Sequence, residues 1–213
     1  MIERLDISTR HCTIERDGRV VIFTMNRPEK KNALSPDMLA GLVLGYEYVD
    51  DEPEVRCAVL TGAGGSEILQ GTDIRVAGES AIFGVWEAKR GLFPLGGSAC
   101  RLPRQIPYTL AMDILLRCPP VPAPVALEIG LIGHVVPDGE ALTRARELAA
   151  EVAEMGPLST KAILRAWRET EHMNDADAMQ HQDKIGWEVF ASEDAQEGPK
   201  AFGEKRAPVF RGK

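Results

Sequence analysis

Two glutamates, Glu67 and Glu87, lie twenty residues apart, and each follows a glycine-containing segment. Gly64-Gly65-Ser66 precedes the first, and Phe83-Gly84-Val85-Trp86 precedes the second. Glycine permits tight turns and close approach of a ligand, so these segments could present a carboxylate beside backbone N–H groups. Two carboxylates can divide a proton transfer into a base step and an acid step. The pairing therefore predicts acid–base chemistry.

The composition is that of an ordinary globular protein. The chain has 213 residues, of which 44% are hydrophobic and 27% are charged, enough for one domain, or one domain with a helical appendage, to bury a core. The formal net charge is −7, whereas a protein that binds phosphate backbones needs a basic surface. Nucleic acid is therefore not expected as a partner.

The cysteines and the apolar pattern predict a cytoplasmic protein. Four cysteines are scattered along the chain without a Cys-x-x-Cys pair, which favours reduced thiols over a disulfide framework or a metal site. No apolar run is long enough to span a membrane, and the polar start of the chain does not resemble a signal peptide. We expect neither a metal nor a membrane as a partner.

The first sixty residues predict a layered α/β structure. Residues 13–17 and 19–25 form a hairpin pattern around Asp17-Gly18. Ser35 and Pro36 are a typical helix start, and a buried strand is expected over 55–61. The helix should run from Pro36 to about Val49, with its apolar face formed by Met38, Leu39, Leu42, Val43 and Tyr46. Strand, helix and strand in this order indicate a βαβ arrangement.

The remainder of the chain changes character after Asp138-Gly139. Before that point we expect a helix beginning near Ser66 and short strands over 74–77 and 81–83, whereas four prolines between 119 and 124 exclude a helix over 117–125. Beyond it, helices are predicted over 139–155, 158–171, 176–191 and 193–204. The predicted division is an α/β core over 1–137 and a helical region over 138–213.

Several motifs, in this order along the chain, resemble the crotonase, or enoyl-CoA hydratase/isomerase, superfamily. The matching segments are Asn26-Arg27-Pro28 with Asn32-Ala33-Leu34, Leu60 to Gly64, Glu67 to Gly78, Phe83 to Gly97, Leu127 to Pro137, and the tail from Glu197 to Arg206. The resemblance implies the crotonase (ClpP/crotonase-like) fold, an α/β fold of repeated ββα units followed by a helical C-terminal region. It also implies a homotrimer or hexamer.

The resemblance also implies a reaction. The protein would be an enoyl-CoA hydratase, a lyase that adds water to a trans-2-enoyl-CoA in fatty-acid or related acyl-CoA metabolism. Glu67 would activate the water, Glu87 would exchange a proton at the α carbon, and the Gly64 N–H would stabilise the enolate oxygen. No cofactor is expected, because coenzyme A enters as part of the substrate.

Residues for coenzyme A follow from the same resemblance. The loop that carries Arg27, Lys30, Ala33 and Leu34 would border the coenzyme, and its cations would meet phosphates. Phe202 and Lys205 would contact the nucleotide end, often across a subunit boundary. Arg27 and Lys30 could equally belong to an ordinary solvated loop, and Phe202 could be a buried anchor.

The chain departs from the family pattern just before Glu67. Relatives have a loop, a helix and a buried strand between the Leu-Thr-Gly-x-Gly motif and the glycines before this glutamate, whereas here Leu60 to Gly64 leads directly to Ser66. Either the protein lacks this segment, or the sequence omits it; omission is favoured, because deleting a buried strand would expose both an edge and the core. The segment would carry the first oxyanion donor.

Three functions remain open at this point. Two glutamates favour hydration, whereas one suffices for an isomerase that moves a double bond or for other acyl-CoA chemistry of the superfamily. A catalytically silent acyl-CoA-binding homologue is the third possibility. The composition of the proline-rich stretch over 117–125 suggests a compensated frame shift or a sequence error. If this stretch and the interrupted pattern before Glu67 are real, both favour the silent homologue.

Overall fold

A computed structural model describes residues 2–30, 32–62 and 70–213 of the chain. The chain separates into two compact units, Met1–Ala149 and Ala150–Lys213. The helix predicted near Ser66 lies outside the described residues, as do Glu67 and Gly64. The boundary inferred after residue 137 stays a prediction.

The described residues contain eight strands and eight α-helices. The strands are β1 (Glu3–Arg4), β2 (Cys12–Asp17), β3 (Val20–Met25), β4 (Cys57–Gly62), β5 (Val76–Gly78), β6 (Ile82–Phe83), β7 (Val121–Pro122) and β8 (His134–Val136). The helices are α1 (Pro36–Asp51), α2 (Ser98–Gln105), α3 (Tyr108–Arg117), α4 (Ala123–Glu128), α5 (Ala141–Ala153), α6 (Pro157–Thr170), α7 (Asp175–Phe190) and α8 (Glu193–Gly203). None of these helices is both long enough and apolar enough to cross a membrane.

The predicted hairpin and βαβ arrangement are confirmed. β2 and β3 pair antiparallel around Gly18, whose φ of +60° suits a residue without a Cβ atom. β3 then pairs in parallel with β4, and α1 connects these two strands. The resulting sheet has the order β1-β2-β3-β4, so β4 is its last strand among the described residues.

Helix α1 begins as the sequence predicts, and its packing face matches the predicted one in part. The Ser35 side chain accepts a hydrogen bond from the Met38 N–H, which caps the helix. Buried positions of α1 are Met38, Gly41, Leu42 and Gly45, whereas Leu39, Val43 and Tyr46 are 48%, 55% and 46% exposed. The predicted apolar face was therefore wrong at Leu39 and Val43, whereas the Tyr46 ring stacks on Phe23 of β3, with ring centroids 5.1 Å apart. Gly41 and Gly45 belong to the buried face instead and bring the helix close to the sheet.

A second core in the first unit surrounds two small sheets. β5 pairs in parallel with β8, and β6 pairs antiparallel with β7. Helices α2, α3 and α4 contribute Leu102, Ala111, Ile114 and Ala126 to this core. The segment that carries Glu87 leaves β6 and enters the same core through Val85.

The expectation that prolines exclude a helix from 117–125 was wrong in part. β7 occupies Val121–Pro122, but α4 already begins at Ala123 and contains Pro124 in its first turn. Proline is tolerated there because the first N–H groups of a helix have no partner within the helix. Cys118 ends α3 with a left-handed φ of 54°.

The second unit is helical, as predicted. α6 packs against α7, and α7 contacts α8. Side chains of Asn174 and Ser192 accept hydrogen bonds from Asp177 N–H and Ala195 N–H and so cap α7 and α8.

Candidate active site

Glu87 lies between β6 and a short 3₁₀ turn formed by Ala88–Arg90. Its side chain is partly exposed, and no described residue makes a hydrogen bond or an ion pair with its carboxylate. Its carbonyl oxygen accepts hydrogen bonds from the Arg90 and Leu92 N–H groups, at 2.9 and 3.0 Å. These two bonds hold the backbone, and the part of the chain that the structure describes offers the carboxylate no partner.

The glycines around Glu87 have distinct structural roles. Gly84 lies under the indole of Trp86, where a Cβ atom would approach the ring to 2.5 Å. Gly91 and Gly97 have φ values of +67° and +96°, which favour glycine. These glycines therefore permit a close ring contact and two left-handed turns, and the prediction that the segment presents a carboxylate beside backbone N–H groups stays a prediction.

The other half of the predicted pair cannot be placed. Glu67 and Gly64 lie outside the described residues, so no distance joins the two carboxylates or places Glu87 near the oxyanion donor. Both assignments stay predictions.

The loop between β3 and α1 is held together by its own polar groups. Asn32 is buried with a φ of 55°, and its Oδ1 accepts a hydrogen bond from the Arg27 N–H at 2.7 Å. The Arg27 guanidinium donates to the Ala33 carbonyl oxygen at 3.1 Å and lies 3.7 Å from the Glu29 carboxylate. Arg27 thus organises the loop, and Asn32 is a positioning residue that was not selected from the sequence. The residue type was the signal that could have identified Asn32, because asparagine tolerates positive φ better than most residues.

The same loop presents three further predicted residues at the surface. Lys30 and Ala33 are exposed, and the Leu34 side chain is half-exposed. The structure therefore brings Arg27, Lys30, Ala33 and Leu34 together on one short loop. No hydrogen bond or ion pair among the described residues joins this loop to Glu87.

Phe202 and Lys205 belong to the second unit. Phe202 is 87% exposed near the end of α8, so the alternative of a buried anchor was wrong. Lys205 follows the helix with a φ of 56°, and its N–H donates to the Phe202 carbonyl oxygen at 3.2 Å. An aromatic ring this exposed is available for a ligand or a neighbouring subunit.

A serine, a histidine and an aspartate meet at the start of α1 but do not form a nucleophilic triad. His11 Nδ1 lies 2.8 Å from Ser35 Oγ and 4.0 Å from the Asp37 carboxylate. A triad needs the serine and the acid on opposite ring nitrogens, whereas both groups here face the same one. Ser35 acts as the helix cap.

A separate shallow groove lies in the second unit between α6 and α7. Its volume is about 200 Å³, and it is lined by Leu158, Lys161, Ala162, Arg165, Ile185, Glu188 and Val189. None of the predicted site residues lines it.

Known proteins resemble this chain along nearly its whole length. Enoyl-CoA hydratase EchA19 of Mycobacterium tuberculosis is 46% identical, over 93% of this chain and 95% of its own length. An (E)-benzylidenesuccinyl-CoA hydratase of Thauera aromatica is 31% identical, over 94% and 98% of the two chains. The crystal structure of an enoyl-CoA hydratase from Mycobacterium tuberculosis superposes with a TM-score of 0.91 at 30% identity, covering 95% of this chain and 99% of that one.

The matches also locate a discontinuity. The alignment with EchA19 has 253 positions, whereas the chain has 213 residues, so at least 40 positions lie opposite gaps in this chain. The model of the enoyl-CoA hydratase/isomerase family matches two segments, 15–66 and 62–213, so that residues 62–66 are matched twice. These two matches together cover almost the entire sequence. With its α/β crotonase fold, the chain belongs to the enoyl-CoA hydratase/isomerase family.

Proposed function

We propose that this protein is an enoyl-CoA hydratase that converts a trans-2-enoyl-CoA into a 3-hydroxyacyl-CoA. The observation that carries the proposal is 46% identity to an enoyl-CoA hydratase along 93% of the chain. Two hydrogen bonds hold the backbone at Glu87, and its carboxylate has no hydrogen-bond or ion-pair partner among the described residues; both observations support the proposal.

In the proposed reaction, Glu67 takes a proton from water while the water oxygen bonds to the β carbon. The electrons of the double bond move toward the thioester, whose oxygen becomes an enolate oxygen. Backbone N–H groups, including that of Gly64, stabilise this charge, and protonated Glu87 gives its proton to the α carbon. One glutamate gains a proton and the other loses one, so the pair keeps its total charge.

The substrate would be a thioester between the enoyl group and coenzyme A. In this proposal the loop of Arg27, Lys30, Ala33 and Leu34 borders the coenzyme, and Lys30 is its exposed cation for a phosphate. Phe202 and Lys205 would meet the nucleotide end from another subunit. The reaction needs no metal and no redox cofactor, because hydrogen bonds stabilise the developing charge.

We also propose a homotrimer or hexamer in the cytoplasm. The second unit exposes several large apolar side chains: Ile163, Trp167, Trp187, Phe190 and Phe202. Exposed apolar patches commonly mark protein interfaces. The four cysteines are unpaired thiols, as is usual in a reducing compartment.

The proposal is tested with crotonyl-CoA, a short trans-2-enoyl-CoA. Hydration removes the conjugated double bond, so ultraviolet absorbance should fall with time in proportion to enzyme concentration. A 3-enoyl-CoA, offered separately, reports isomerisation by a rise in the same absorbance. If the protein turned over only the 3-enoyl-CoA, its proposed activity would change from hydratase to isomerase.

One observation favours a second candidate, a catalytically silent homologue that binds acyl-CoA. In the alignment with EchA19, at least 40 positions lie opposite gaps in this chain. Intact-mass measurement determines whether the purified protein has 23.3 kDa or is larger. At 23.3 kDa, binding of acyl-CoA without detectable hydration would establish the silent homologue, and measurable turnover would eliminate it.

A further inference from the structure

We propose that His11 is a positioning residue that holds the coenzyme loop in place. The coenzyme loop joins β3 to α1 and carries Arg27, Lys30, Ala33 and Leu34. His11 precedes β2 and makes one hydrogen bond near each end of this loop. The inference rests on the proposed function, because it takes the loop as the border of the coenzyme A site. It gives His11 an effect on coenzyme binding and none on the chemical step.

The first bond holds the start of the coenzyme loop through backbone atoms. β3 ends at Met25, and the next N–H group, that of Asn26, donates to the His11 carbonyl oxygen at 2.9 Å. Met25 pairs with Cys12, the residue that follows His11. Both Met25 and Cys12 are fully buried, so the core fixes the backbone from which the His11 side chain extends.

The second bond holds the other end of the loop through the imidazole ring. His11 Nδ1 lies 2.8 Å from Oγ of Ser35, which follows Leu34 and caps α1. The Ser35 oxygen accepts a hydrogen bond from the Met38 N–H, and no acceptor other than Nδ1 meets the Ser35 proton among the described residues. Ser35 is buried, and a buried hydroxyl without an acceptor is unfavourable. The Ser35 O–H therefore donates to His11 Nδ1.

Between its ends, the coenzyme loop is held by bonds within itself. The Arg27 N–H donates to Asn32 Oδ1, and the Asn32 N–H donates to the Arg27 carbonyl oxygen at 2.9 Å. The Arg27 guanidinium donates to the Ala33 carbonyl oxygen. Each of these bonds joins one part of the loop to another, so they set its shape. Its position relative to the sheet is set at the two ends, where His11 makes its bonds.

Thr9 contacts α1 from the same segment and provides a matched control. Its hydroxyl donates to the carbonyl oxygen of Asp37, in the first turn of α1, at 2.7 Å. The Asp37 carboxylate lies 4.0 Å from His11 Nδ1, beyond hydrogen-bond distance. Removal of the Thr9 hydroxyl therefore weakens the contact between this segment and α1 but leaves both bonds of His11 in place.

The test compares the kinetics of variants on two thioesters. Crotonyl-CoA presents the whole coenzyme, whereas crotonyl-N-acetylcysteamine has the same reacting group but lacks the nucleotide and its phosphates. His11→Phe keeps a ring and removes Nδ1, so the KM for crotonyl-CoA should rise about two- to tenfold, the effect of one lost hydrogen bond. Its kcat should be unchanged, and so should the KM for crotonyl-N-acetylcysteamine.

Two further changes at His11 and the control at Thr9 separate positioning from a general loss of stability. His11→Asn should restore the KM for crotonyl-CoA, because its Oδ1 can accept the Ser35 O–H near the place of Nδ1. His11→Gln, whose amide lies nearer the place of Nε2, should behave like His11→Phe and replaces it if that variant does not fold. Thr9→Val should keep the wild-type ratio of the two KM values. A wild-type ratio in His11→Phe, or the same change of ratio in Thr9→Val, would overturn the proposal.

Calorimetric titration with coenzyme A separates this role from the proposed catalysis. If the protein hydrates neither thioester but His11→Phe binds coenzyme A more weakly than wild type, the role of His11 is supported and the catalysis alone fails. Equal affinity of wild type and His11→Phe for coenzyme A, or no binding by either, would overturn the role of His11 whether or not the protein is catalytic.

Discussion

Glu197 and Glu87 show how the hydrogen-bond partners of a carboxylate determine whether it stabilises the fold or can take part in a reaction. Glu197 accepts two hydrogen bonds from the Arg206 guanidinium, at 2.6 and 2.9 Å, and one from the Val209 N–H at 2.9 Å. Glu87 has no such partner among the described residues. A carboxylate whose acceptor positions are filled holds a segment in place, whereas a free one can exchange a proton.

The pairing of Glu197 predicts a loss of stability in acid. Hydrogen bonds from Arg206 and Val209 lower the pKa of Glu197 from 4.5 to about 2. A lowered pKa in the folded state stabilises the protein fully above pH 4.5, and this contribution is lost as the pH falls toward 2. The difference in urea midpoint between wild type and Glu197→Gln should therefore be largest near neutral pH and shrink in acid.

The matched control is Glu128→Gln, a change at an exposed glutamate of α4. It should show no such dependence on pH. A difference between wild type and Glu197→Gln that stays constant from neutral pH down to pH 2 would contradict this role of Glu197.

At the scale of elements, two glycines decide how α1 meets the sheet. A Cβ atom on Gly45 would approach Phe23 Cε1 to 2.1 Å, and one on Gly41 would approach Cys12 Cβ to 2.5 Å. Gly45→Ala should lower the free energy of unfolding by about 1–3 kcal/mol through overpacking, even though alanine favours helix by about 1 kcal/mol. Urea denaturation measures this change.

Gly186→Ala in α7 is the matched control, because no atom lies within 4 Å of the added methyl group. It should be neutral or stabilising by up to about 1 kcal/mol. Equal stability of Gly45→Ala and wild type would show that α1 does not pack this closely.

These elements also show which parts of the fold the sequence could predict. Local signals were sufficient for the hairpin at Asp17-Gly18 and for the capped start of α1 at Ser35. Hydrophobic spacing identified Met38 and Leu42 on the buried face of α1 but missed Gly41 and Gly45, because glycine carries no apolar side chain yet permits the close contact. The prediction at Pro124 was wrong because the effect of a proline depends on its position within the helix, and Pro124 lies in the first turn of α4.

At the candidate site, the sequence predicted which residue types are present but not the contacts that depend on the folded loop. The residue types and glycines around Glu87 could be read from the sequence. The role of Arg27 could not, because its bond to the Ala33 carbonyl oxygen depends on the loop conformation that Asn32 stabilises.

At the scale of the whole molecule, the second unit should hold the subunits together. Trp187 is 71% exposed, and its ring lies 5.6 Å from that of Phe190. Buried aromatic side chains contribute strongly to interfaces, so Trp187→Asp should shift the protein toward monomers in sedimentation velocity. Asp183→Asn, on the same helix, should leave the assembly intact. A monomeric wild-type protein would contradict the proposed oligomer.

The central claim is that Glu67 and Glu87 together hydrate an enoyl thioester, and steady-state kinetics of their single glutamine variants test it most directly. The wild-type protein should hydrate crotonyl-CoA. Glu67→Gln and Glu87→Gln should each lower kcat by about 10²–10⁴-fold with little change in acyl-CoA binding, whereas Glu79→Gln, at an exposed glutamate, should match wild type. A kcat of either variant equal to that of wild type would contradict the account.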